Sequence, residues 1–128
     1  MRFLRFSEVI SIHSLLVAET GGQLGLRDKG LLESALKAAE YRYHYEQSDV
    51  VTCAATYAYH LCMAHAFFDG NKRIAAAVSE TFLLLNGWQL DLDNEQLVDT
   101  FLALGDAQLS RDAVETLFRR HAISLEGN

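Results

Sequence analysis

The sequence predicts an all-α fold: one domain over residues 1–128, a compact helical bundle of about six helices around a buried central helix. Three observations predict it. Apolar residues recur at helical spacing almost everywhere between glycine-marked breaks, proline is absent, and the one alternating run is too short to build a sheet.

The first helix is expected over Ser7 to Glu19, with Ser7 as its N-cap and Val9, Ile12 and Leu16 on one apolar face. Gly21-Gly22-Gln23-Leu24-Gly25 then forms a flexible loop, long enough to act as a flap over a neighbouring surface. Asp28 caps a second helix that carries Leu31, Leu32, Ala35, Leu36 and Ala39 inward. Tyr41, Tyr43 and Tyr45 are the alternating run. A third helix from Val50 to Ala64 places Ala54, Tyr57, Leu61 and Ala64 along one stripe. The fourth, Asn71 to Asn86, is apolar on all sides through Ile74–Val78 and Phe82–Leu85, which predicts that it is the buried axis. Asn86-Gly87 ends it. Two amphipathic helices follow, Asn94 to Leu104 and Ser110 to Ala122, with Trp88 and Leu90 reaching back to the core.

Composition narrows the function. Hydrophobic residues make up 50% and charged ones 22%, a globular balance. The formal net charge of −6 argues against a protein that tracks nucleic-acid phosphates. The start of the chain has no signal-peptide core, and no apolar run reaches the roughly 18 residues of a membrane span. Cys53 and Cys62 lie on opposite sides of one helix, too far apart to bridge, and read as two buried thiols in a reducing cytoplasm.

One segment breaks the packing pattern: His65-Ala66-Phe67-Phe68-Asp69-Gly70-Asn71-Lys72-Arg73. It gathers an imidazole, a carboxylate, a carboxamide, an ammonium and a guanidinium at the mouth of the most apolar helix, where desolvating such groups is costly. The pattern suits an anion. Backbone N–H groups at the start of the fourth helix point into the loop, Lys72 and Arg73 add full charges, and Gly70 allows close approach. Asp69 would repel phosphate unless a divalent cation sits between them, as when magnesium is held by one carboxylate plus phosphates. An imidazole, able to exchange a proton near neutral pH, makes His65 the candidate base for an incoming hydroxyl. These parts describe nucleotide-dependent group transfer onto a hydroxyl. The order of residues is not that of a Walker A loop, and His60 and His65 do not share a ligand face as zincin histidines do.

These nine residues resemble the signature of the Fic/Doc superfamily, whose Fic members read His-x-Phe-x-Asp/Glu-Gly-Asn-Gly-Arg-x-x-Arg. Lys72 stands where Fic enzymes have glycine, and Ala76 where they have a second arginine; both departures are those of the Doc (death-on-curing) toxin branch. The stretch from Gly25 to Leu36 and the chain length resemble that branch too, so the similarity covers nearly the whole chain.

The resemblance implies a Fic/Doc-like helical fold and the toxin of a toxin–antitoxin pair. Such a toxin uses ATP and magnesium to phosphorylate a threonine of elongation factor Tu, which arrests translation. It also implies roles: His65 the general base, Asp69 the magnesium-site carboxylate, Gly70, Asn71, Lys72 and Arg73 the phosphate contacts, and Phe67 the anchor of the loop in the core. The implied partner is a cognate antitoxin whose C-terminal helical segment docks in a groove on the toxin. The inhibitory helix of self-regulating Fic proteins, Ser/Thr-x-x-x-Glu-Gly/Asn, is not matched by the tail, because Ala122 holds the hydroxyl position before Glu126. Two other readings stay open: a Fic-type adenylyltransferase, which moves AMP to the hydroxyl, and a catalytically silent binding module. Singly, His13, His44, His60 and His121 read as surface or satisfied core histidines, Arg27-Asp28 as structural or, second, as lining the flap, and Arg111, Arg119 and Arg120 as solvated or end-of-helix charges.

Overall fold

The computed structural model describes residues 1–126. Among these the chain forms six helices: α1 (Phe6–Thr20), α2 (Lys29–Glu46), α3 (Val50–Ala64), α4 (Asn71–Leu85), α5 (Asn94–Gly105) and α6 (Arg111–His121). Two three-residue strands, β1 (Trp88–Leu90) and β2 (Ala122–Ser124), pair antiparallel with Gln89 opposite Ile123. This ribbon lies outside the all-α expectation. It needs only the short apolar segments that follow α4 and α6, brought side by side by the bundle.

Four helix starts are capped by side chains. Asp28, Asp49, Asp93 and Ser110 accept the N–H groups of Leu31, Thr52, Gln96 and Ala113, so each helix begins where its sequence predicts to within a residue or two. The start of α1 differs. Ser7 is not its cap; the carboxylate of Glu8 reaches back to the Arg5 N–H at 2.9 Å, because a glutamate in the first turn serves that donor better than a serine already inside the helix. The tyrosine run is helical. Tyr41 and Tyr45 meet four residues apart, rings tilted with centroids at 4.6 Å, while Tyr43 turns to Phe3.

The buried axis is α3, not α4. Every residue from Val51 to Ala58 is buried, and α2, α4, α5 and α6 pack around it. Its alanines, threonines and Cys53 are small enough to let four helices approach at once, which all-round bulk would prevent. In α4, Ile74, Ala75, Val78, Ser79, Phe82 and Leu83 face inward, whereas Leu84 and Leu85 are 55% and 40% exposed. Uniform apolarity therefore marked a helix with one buried face and one apolar, uncovered face.

The polar groups of the core are mostly paired. Arg42 bonds Thr56 and Glu115; at the rim, Arg119, a half-exposed charge in the last turn of α6, meets Asp49 through both terminal nitrogens and ties α6 to the start of α3. His60 is not a satisfied core histidine: its Nε2 is buried without a partner among the described residues, and desolvation, with Arg111 and Arg42 nearby, pushes its pKa down. Cys53 and Cys62 are free and buried, and burial raises both thiols to about 11. No helix among the described residues is long and apolar enough to cross a membrane.

Candidate functional site

The site is built on the turn between α3 and α4. His65 ends α3 in a left-handed conformation, φ 49° and ψ 43°, which throws its side chain out of the helix and into solvent. Ala66 and Phe67 then drop back into the core. Gly70, at φ 75°, starts α4 without any side-chain cap. A side chain is strained at that angle, which is the reason for glycine there. The first intrahelical bond runs from the Ile74 N–H to the Gly70 carbonyl at 2.9 Å. The N–H groups of Asn71, Lys72 and Arg73 therefore have no backbone acceptor among the described residues, and they carry the positive end of the helix dipole.

Around this turn lies an open cavity of about 250 Å³ lined by Cys62, His65, Phe68, Asp69, Gly70, Asn71, Lys72 and Arg73. All six sequence-predicted site residues thus share one space. Their polar atoms do different things. Asp69 is exposed; its Oδ2 accepts the Gln23 N–H at 3.2 Å and its Oδ1 the Gly70 N–H at 2.9 Å. Those two bonds, Gln23 first, hold its carboxyl below the ordinary carboxylate range, and Arg73 adds to the effect. Asn71 turns its carboxamide onto the loop itself, accepting from the Phe67 N–H at 3.1 Å and donating to the Phe67 carbonyl at 3.0 Å. It is a brace for the loop, and its backbone N–H and the second hydrogen of its amide are left for a ligand.

Lys72 lays its stem over Gly105 at the end of α5; a Cβ placed there would come within 2.1 Å of the Lys72 Cε. Arg73 reaches the hydroxyl of Thr20 in the last turn of α1. Both cations are exposed.

The flap is stitched to this loop by backbone. The Arg27 and Asp28 N–H groups both donate to the Ala66 carbonyl, at 2.7 and 3.0 Å, and the Phe68 N–H donates to Gly25 at 3.2 Å. Leu26 bridges Phe67 in antiparallel fashion. Arg27 Nε also donates to the His65 carbonyl at 2.8 Å, so Arg27 supports the left-handed turn that presents the imidazole. The sequence offers Arg27 as structural, Gly22 as part of the flap and His13 as a surface or satisfied core histidine, but ties none of them, nor Thr20 or Gly105, to the turn. Arg27, Gly22, Thr20 and Gly105 lie far from the motif in sequence and carry no spacing signal; His13 is an ordinary residue on the inner face of an amphipathic helix.

The residues fit one divalent cation of the magnesium type. Asp69 is ionised and exposed, and each of its oxygens accepts a single N–H, leaving lone pairs free. A carboxylate like this, with phosphates and water completing the shell, is the usual magnesium arrangement. Among the described residues no cluster of three or more His, Cys, Asp or Glu side chains would hold a metal by itself.

Beside the site, and sharing Lys72 and Arg73 with it, runs an apolar groove of about 380 Å³ between α1, α4 and α5. Leu16, Ala76, Ala77, Leu97 and Phe101 line it. Glu80 stands in it half-buried, with burial raising its pKa.

Comparison with known proteins places the chain in a family. The sequence model described as the Fic/DOC family matches residues 3–83, which span α1 to the last turn of α4. The chain is 31% identical over 121 residues to "Protein kinase doc" of Escherichia phage P1, covering 94% of this chain and 95% of that protein. It is 35% identical over 101 residues to "Toxin Doc" of Mycolicibacterium smegmatis (strain ATCC 700084 / mc(2)155), covering 74% of this chain and 78% of that one. With the helical bundle, the His65–Arg73 turn and these relatives together, the chain belongs to the Fic/DOC family, on its Doc branch.

Proposed function

We propose that this chain is the toxin of a toxin–antitoxin pair and acts as a protein kinase, moving the γ-phosphoryl group of ATP to a hydroxyl of a target protein. A threonine of elongation factor Tu is the target this reading favours, with arrest of translation as the result. The carrying observation is that His65, the Asp69 carboxylate and the uncapped start of α4 with Lys72 and Arg73 all line one open cavity. The relative named a protein kinase supports phosphoryl rather than AMP transfer.

The chain's own groups divide the work. Lys72, Arg73 and the free N–H groups of the first α4 turn hold phosphate oxygens. Asp69 holds magnesium, which when bound neutralises phosphate charge and favours the departure of ADP. His65 takes the proton of the acceptor hydroxyl as its oxygen bonds to the γ-phosphorus and the bond from that phosphorus to the bridging oxygen breaks. The exposed, left-handed placement of His65 leaves its ring open to an incoming protein side chain. The groove between α1, α4 and α5 suits a helical C-terminal segment of the antitoxin, which would cover Lys72 and Arg73 and so exclude nucleotide.

The test is transfer from ATP labelled at either the α or the γ position, with elongation factor Tu as acceptor and magnesium supplied. Label from the γ position on a threonine is expected. Label from the α position would replace the kinase with an adenylyltransferase, and growth arrest by a folded His65→Ala variant without any transfer would favour a silent binding module.

A further inference from the structure

His13 belongs to α1, yet its ring is a part of the α3–α4 turn. The ring is 2% exposed and lies nearly parallel on Phe67, with centroids 3.8 Å apart. Its Nε2 is 2.8 Å from the Asp69 carbonyl oxygen. A carbonyl only accepts, so Nε2 is the protonated, donating nitrogen. A Cβ on Gly70 would sit 3.5 Å from the same atom. One buried side chain therefore packs on Phe67, holds the Asp69 carbonyl and lies beside Gly70.

The consequence comes from the planarity of a single peptide unit. The carbonyl of Asp69 and the N–H of Gly70 are its two ends. The carbonyl is held by His13 Nε2, and the N–H donates to Asp69 Oδ1 at 2.9 Å. Fixing one end of the plane aims the other, and that other end is one of the two donors that orient the carboxylate. Gly70, lacking a Cβ and held at positive φ, would otherwise leave this plane free to rotate. The Gln23 N–H, from an exposed loop, is the only other donor to the carboxylate among the described residues.

We propose that His13 is a positioning residue: through the Asp69–Gly70 peptide it sets the direction in which Asp69 presents its carboxylate. This rests on the reading of Asp69 as the carboxylate facing a magnesium–nucleotide. Loss of the His13 donor loosens that carboxylate without removing any group that contacts ligand.

Two variants separate the donor from the ring. His13→Phe keeps an aromatic against Phe67 and loses the donor; His13→Gln loses the ring and keeps an amide N–H near the place of Nε2. Hydrogen exchange of the Gly70 amide in the unliganded proteins, and calorimetry with magnesium and ATP, are measured beside thermal unfolding. His13→Phe is expected to speed Gly70 exchange about tenfold and weaken nucleotide uptake about 3- to 10-fold, the size of one lost hydrogen bond. His13→Gln restores most of both. Unchanged exchange in His13→Phe, or a His13→Gln variant no better than a His13→Phe variant that melts like the parent, overturns the proposal. If His13→Phe does not fold, His13→Gln decides: retained Gly70 protection supports the role and faster exchange overturns it. If the parent protein takes up no magnesium–ATP, the kinase reading falls, while Gly70 exchange still decides whether His13 sets the peptide plane.

Discussion

The carboxylate of Asp69 accepts the backbone N–H of Gln23 at 3.2 Å, so a residue of the α3–α4 turn is held in part by the flap that follows α1. Gly22, next to that donor, has φ +108°, and a Cβ built on it would stand 2.7 Å from Asp69 Oδ2. The flap and the carboxylate share one space, which only a residue without a side chain leaves open.

Gly22→Ala is therefore expected to hurt twice. Forcing a side chain into this backbone region costs about 1–2 kcal/mol, read as a lower midpoint in denaturant titration. The displaced carboxylate should also weaken magnesium–nucleotide uptake in calorimetry. Unchanged uptake would mean that Asp69 does not depend on the flap.

His65→Ala and Asp69→Asn should separate chemistry from binding. The first removes an exposed ring that ends α3, and is expected to leave nucleotide affinity near that of the parent while transfer falls about 10²–10⁴-fold. The second should weaken binding of the magnesium complex. Steady-state kinetics and calorimetry on the same preparations distinguish the two.

Gly105→Ala probes Lys72 from a distance. The glycine is helical, so alanine there should hold or raise stability, by up to about 1 kcal/mol. Its Cβ occupies the path of the Lys72 stem, which must swing away. The expected result is an equal or higher melting temperature with a KM for ATP raised several-fold.

Glu80→Gln should stabilise the protein at neutral pH. Burial raises the folded pKa of Glu80 above its ordinary 4.5. The folded state thus binds the proton more tightly, and the stability this contributes is complete below about 4.5 and is lost as pH rises through the folded value. At pH 7 the ionised acid sits half-buried at a cost that the amide avoids. Denaturation of parent and variant at pH 7 and pH 4 should show a gain that disappears in acid.

Asp49→Asn should behave in the opposite sense. Desolvation works to raise the Asp49 pKa, but bonds from Arg119 and Thr52 outweigh it and the net shift is downward from 3.8. Stability from its charge is present above that value and lost as pH falls through the folded one. Asparagine still caps α3, so the variant isolates the Arg119 pair, whose partners are about half exposed. A loss of up to about 1 kcal/mol is expected at pH 7, closing below pH 3.8.

How far the residues alone could be read varies along the chain. The starts of α2, α3, α5 and α6 were legible to within a residue or two, and there Asp28, Asp49, Asp93 and Ser110 each accept an N–H three residues ahead. The tyrosine alternation and the uniform apolarity of α4 were misleading alone, because local pattern does not say which neighbour covers a face. Tyr43 reads as helix once Phe3 is seen against it, and α3 becomes the axis once four helices are seen to close on its small side chains.

The sequence by itself determined the helical architecture, the nine-residue turn from His65 to Arg73 and the family, since these depend on near neighbours and on residue chemistry. Only the tertiary structure decided that Asn71 braces the loop, that Lys72 runs over Gly105, and that His13, Arg27 and Gly22 shape the turn from α1 and the flap. The physical reason is distance along the chain. A hydrogen bond or a missing Cβ that acts across dozens of residues leaves no periodic trace, and appears only when packing brings its two ends together.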